Sequence, residues 1–136
     1  MAKRPRGSAR RRRRSDADAG FEQLVERALG SIPEPFARAL DEVAIVIEEE
    51  PSRDQLRESG LRPNDSLYGL YEGVPRTEWA ADWAFVPNKI TLFQIPLEED
   101  FPDAAELEHE VRITVVHELA HHLGIDDDRL HDLGAY

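Results

Sequence analysis

Apolar positions in this chain change period several times, and each change marks an element. Phe21, Leu24, Val25, Ala28, Leu29 and Ile32 recur at i, i+3, i+4, i+7, i+8 and i+11. That spacing predicts an amphipathic helix, with Asp16 and Asp18 favourable near its positive N-terminal end. Pro33 and Pro35 break it, and Pro35 can enter the first turn of a second helix carrying Phe36, Ala39, Leu40 and Val43 on one face. Residues 44–47, AIVI, form a β-branched run that reads as a buried strand. Ser52 with Gln55 three residues on predicts a capping box for a short helical turn closed by Gly60. Residues 67–72 and 89–95 read as two further strands, and the later one is expected at an exposed sheet edge. Between them, Trp79 and Trp83 sit in a long connection and are expected to pack over the edge of the core. Pro96 and Pro102 bracket what reads as an acidic loop. Residues 103–123 then form one long helix, apolar around most of its circumference after Val111 and hence central in the fold. Gly124 stands where a left-handed residue ends such a helix, and a last short helix is expected through Leu133. Helices and few strands are interspersed, which predicts an α+β domain with a small mixed sheet packed on a central helix.

Composition narrows the class. A chain of 136 residues has room for one core of ordinary size. It contains no cysteine, which excludes disulfide scaffolds, Cys-ligated zinc and thiol nucleophiles and fits a cytoplasmic location. No apolar run is long enough to span a membrane. The net charge of −11 conceals an asymmetry. Residues 3–14 hold eight of the 17 basic residues and none of the 28 acidic ones, so the rest of the chain carries nine against 28, a net of −19. Residues 1–17 are therefore expected to be a disordered basic tail, ahead of a domain over residues 18–136. The arginines are followed by Ser-Asp-Ala-Asp rather than an apolar segment, so no export signal is expected. Such a tail meets an anionic partner weakly and without sequence preference, through counterion release. A monomer is expected.

The candidate chemistry lies in the sequence HELAHHLGIDD over residues 117–127. Helical positions four apart differ by about 40° around the axis, so His117 and His121 point the same way and can share one ion. Glu118 is rotated by about 100° from His117, near enough to serve as a base without being a ligand. Beyond the helix end at Gly124 the chain can turn back and present a third donor. Asp127 is the expected one, with Asp126, Asp128 and His131 as alternatives. Two nitrogens, one carboxylate oxygen and an open position suit catalytic zinc (Zn2+), which lowers the pKa of its water towards ~7. His122 points away from His121 and is expected to pack or to support the site from behind, while His109 is expected in solvent.

The pattern H-E-x-x-H-x-x-G-x-x-D resembles the zincin metallopeptidases. The chain departs from metzincins, which have a methionine turn, because its sole methionine is Met1. It departs from gluzincins because no Glu follows Glu118. The closer resemblance is to the minimal zincins, small bacterial zincin-like metallopeptidases. It rests on VAIVIEEEP over residues 43–51, LYGLYEG over 67–73, KITLF over 89–93 and HELAHHLGIDDDRL over 117–130. It implies a compact zincin-like fold and a peptidase activity with no defined substrate.

The resulting expectation is a zinc metalloendopeptidase with His117, His121 and Asp127 on the metal and Glu118 as general base. Its partner is a peptide or protein substrate, preferably basic, since the body is acidic. Tyr68, Tyr71 and Tyr136 are candidates for a second donor to the oxyanion. The rival expectation is a metal-stabilised binding module without catalysis, its Arg-rich tail reaching an anionic partner.

Overall fold

The computed structural model describes residues 6–61, 67–73, 88–125 and 128–129, with side-chain surroundings from residue 18 onward. Helix α1 (Arg6–Gly30) leads to α2 (Phe36–Ala39), a 3-10 turn (Leu40–Glu42), strand β1 (Ala44–Glu48) and helix α3 (Arg53–Glu58). Strands β2 (Gly69–Glu72) and β3 (Lys89–Phe93) follow, then helices α4 (Gln94–Asp100) and α5 (Ala104–Leu123). This is the expected α+β arrangement, a three-stranded mixed sheet lying on one long helix.

The stripe on α1 does what its period requires. Phe21, Leu24, Val25, Ala28 and Ile32 are all buried, the larger of them contributing about 1.5–3 kcal/mol each on full burial. They meet Leu107, Val111, Val115 and Leu119 of α5 in one core. Arg27 Nε donates to Glu108 Oε1 at 2.8 Å across the helix pair. The helix starts earlier than expected, however. From Arg6 the basic stretch read as disordered is helical, and Asp18 lies well inside the helix rather than at its start. Arginine is a good helix former, and once the buried stripe has formed the helix, each further residue adds one hydrogen bond without a new nucleation cost. Asp18 Oδ1 instead accepts from Gln94 Nε2 at 3.0 Å, tying α1 to the start of α4.

Strand β3 is central, not at an edge as expected. The order is β1-β3-β2, with β1 parallel to β3 (Ile45 opposite Ile90, Ile47 opposite Leu92) and β2 antiparallel (Gly69 opposite Leu92, Tyr71 opposite Ile90). Burial explains the position. Ile90, Thr91, Leu92 and Phe93 are all inaccessible, whereas β1 and β2 are mostly half-buried. The strand also ends two residues early, because Pro96 falls in the first turn of a helix, where its missing N–H is not needed. Ile95 N–H still donates to Glu49 O at 3.0 Å, extending the β1 pairing by one bond. The acidic segment expected as a loop is α4.

The helix ends are legible in the side chains. Ser52 and Gln55 form the full reciprocal capping box on α3. Asp103 Oδ2 accepts from Glu106 N–H at 3.0 Å to start α5. Gly124, at φ 71°, ends it in the left-handed region, and Ile125 N–H donates to Ala120 O at 2.8 Å. No helix among the described residues is long and apolar enough to cross a membrane. Trp79 and Trp83, and the expected last helix apart from Asp128 and Arg129, lie outside the described residues.

Candidate active site

Helix α5 carries the candidate residues along the face that looks towards β2. His117 is half-buried, the side chain of Glu118 is 15% exposed and that of His121 is 55% exposed. The base candidate is therefore sheltered while one histidine reaches solvent. Glu118 Oε2 lies 3.2 Å from His121 Nδ1, so a metal at His121 would be taken by Nε2.

Strand β2 supplies the other side of the site. Phe93 N–H donates to Tyr68 O at 2.9 Å. Antiparallel pairing alternates, so the backbone groups of Gly69 and Tyr71 point away from β3. Tyr71 N–H accordingly donates to Glu118 Oε2 at 3.0 Å. A hydrogen bond from a backbone amide holds the carboxylate of Glu118, a residue that lines the cleft. The close approach depends on Gly69. A Cβ there would stand 2.5 Å from Thr114 Cγ2, inside any normal carbon–carbon contact.

Behind this face, His122 is fully buried, as expected of a residue turned away from the metal pair. Its Nε2 lies 2.8 Å from Glu42 Oε2 and its Nδ1 3.0 Å from the Tyr71 hydroxyl. A carboxylate only accepts, so Nε2 donates to Glu42. The Tyr71 hydroxyl donates to Asn88 Oδ1 at 3.1 Å. The Tyr68 hydroxyl donates to Asp100 Oδ2 on α4. That bond to a carboxylate, with lesser contributions from burial and from the charges of Asp100 and Glu110, pushes the Tyr68 pKa up to about 12. Both described tyrosines thus have hydroxyls engaged away from Glu118, which argues against either as the oxyanion donor. Tyr136 lies outside the described residues.

A cleft of about 270 Å³ runs between β2 and α5, lined by Leu67, Tyr68, Gly69, Glu110, Ile113, Thr114, His117 and Glu118. His109 is exposed on the helix, 2.8 Å from Arg112 Nη2, and does not line it. Among the described residues no three metal-binding side chains converge. His117 and His121 are two imidazoles four apart on one helix, of the kind zinc takes as ligands, and the Glu118 carboxylate stands beside them. Asp127, Asp126 and His131 lie outside the described residues, and Asp128 is exposed. Glu42, Gly69 and Glu110 went unrecognised as site residues in the sequence. Their roles depend on which strand faces α5, which no local pattern encodes.

No curated protein matches the chain. The zincin-like metallopeptidase family matches residues 40–135, which takes in β1, all of β2, β3 and α5, and both histidines with Glu118 between them. By that match over most of its length, the chain belongs to the zincin-like metallopeptidase family.

Proposed function

We propose that the protein is a zinc-dependent endopeptidase in which Glu118 is the general base. The observation that carries this reading is the Glu118 carboxylate, sheltered beside His117 and His121 and held by the Tyr71 amide. A closed structural metal site has no use for an uncoordinated, oriented carboxylate next to its ligands. His117 and His121 would hold the ion, with Asp127 as the proposed third ligand. Zinc, when bound, supplies Lewis acidity that polarises the scissile carbonyl and acidifies water. Glu118 takes the proton from the attacking water and returns it to the leaving amine. The Tyr71 amide keeps the carboxylate from swinging away between the two transfers.

An extended substrate would lie along the edge strand β2 rather than along the central β3, with the Tyr71 N–H remaining on Glu118. The decisive variant is Glu118→Gln, which keeps size and removes the base. It should fold and retain zinc while losing hydrolysis of unstructured peptides by about 10²–10⁴-fold. A fully metallated wild-type protein that cleaves nothing across a broad peptide library would favour the binding-module reading instead. Cleavage that survives Glu118→Gln unchanged would point to a contaminating protease.

A further inference from the structure

The cleft beside Glu118 has two unlike ends. His117 and Glu118 stand at one, and Glu110 stands at the other. Seven helical residues separate Glu110 from His117, which is about 10.5 Å along the axis and within about 20° of the same face. The lining between them includes Leu67, Tyr68, Ile113 and Thr114, whose hydroxyl is taken up by Glu110 O. Among the described residues no Lys or Arg lines the cleft, and Arg112 is turned to His109. The carboxylate of Glu110 has no ion-pair partner among the described residues. Only its backbone oxygen is engaged, accepting from Thr114 Oγ1 at 2.8 Å.

We propose that this cleft is a specificity subsite for a lysine or arginine side chain next to the scissile bond, with Glu110 receiving the cation. The inference rests on the peptidase reading above and adds the substrate class. Three properties of the cleft select this occupant. A neutral aliphatic side chain would cover the walls but strip water from Glu110 without replacing it. An acidic side chain would meet Glu110 and Glu118 at the two ends. Lys and Arg combine an apolar stem, long enough to span most of the distance between the ends, with a charged tip. The match is local and does not depend on the acidic surface as a whole.

The test uses zinc-loaded full-length protein and peptides that differ only in one residue flanking the cleavage point. Wild type should show kcat/KM for Lys or Arg at least about tenfold above Leu, and lowest for Glu, since a sheltered charge pair is worth this much or more. Glu110→Gln should bring the Lys-to-Leu ratio close to one. Glu58→Gln removes the same charge from an exposed position on α3 and should leave the ratio as in wild type. A ratio unchanged by Glu110→Gln, or lowered equally by Glu58→Gln, overturns the subsite. If wild type cleaves nothing, the peptidase reading fails, and fluorescence anisotropy of the same peptides decides the subsite separately. The Lys and Arg peptides should then bind about tenfold tighter to wild type than to Glu110→Gln. Equal affinities, or no binding by either protein, overturn it.

Discussion

Replacing Gly69 by alanine tests the closest contact in the site. The added Cβ would lie 2.5 Å from Thr114 Cγ2 and 3.4 Å from Thr91 O. Non-bonded carbons settle at about 3.5–4.0 Å, so β2 and α5 must part by about 1 Å. Thr114 cannot turn aside easily, because it is buried and its hydroxyl is bonded to Glu110 O at 2.8 Å. Overpacking of this kind costs about 1–3 kcal/mol. The same displacement would stretch the 3.0 Å bond from Tyr71 N–H to Glu118 beyond hydrogen-bonding range. Urea unfolding should therefore show Gly69→Ala destabilised by about 1–3 kcal/mol with an unchanged m value. Hydrolysis should fall even at urea-free temperatures where the variant is fully folded. Thr114→Ser removes the methyl in question and keeps the hydroxyl, so the double variant should recover most of the loss. A double-mutant cycle should give a coupling of about 1 kcal/mol or more. If Gly69→Ala is within about 0.5 kcal/mol of wild type, or the two changes simply add, β2 does not lie on α5 as described.

Other outcomes can be measured alongside it. His117→Ala, His121→Ala and Asp127→Ala should each lower zinc content in elemental analysis, and His131→Ala should not; full occupancy in Asp127→Ala would move the third ligand elsewhere. Thr91 Oγ1 is buried with no hydrogen-bond partner among the described residues, so Thr91→Val, which keeps the β-branched shape, should raise stability by about 1 kcal/mol in urea unfolding. Tyr68 keeps its proton in the folded protein from its ordinary value of 10.0 up to about 12. Its contribution to stability is therefore complete below pH 10 and lost as pH rises towards about 12. Tyrosinate absorbance should show this late titration, and Asp100→Asn, which removes its largest cause, should move it back towards the ordinary value.

The parts of this architecture that were readable in the sequence are those set by neighbours along the chain. The stripe of α1, the box at Ser52 and Gln55, and the end of α5 at Gly124 are each fixed within a few residues, and each stands where its spacing placed it. That His117, Glu118 and His121 share one helix is likewise local. The errors share an opposite origin. Strand β3 was expected at an edge because its alternation gave no sign that β1 would pair on one side and β2 on the other. Helix α4 was hidden because Pro96 and the charges after it resemble a loop until the first-turn position of Pro96 is known. Glu42 and Glu110 belong to the site only through contacts 80 residues away or across the cleft.

A strand of four residues at a sheet edge is held weakly by its own ladder, and short edges are prone to slip. Here three contacts from one face of β2 remove that freedom. Gly69 sits against Thr114, Tyr71 N–H holds Glu118, and the Tyr71 hydroxyl reaches His122, whose other nitrogen is bound to Glu42. A slip of one residue would put the side chain of Leu70 where only a glycine fits and would turn the amide of Tyr71 towards β3. Glu118 would then lose its donor in the same movement that lost the packing. The register of β2 and the orientation of the proposed base are thus one structural fact. Among the described residues, those that fix the strand are those that hold the carboxylate.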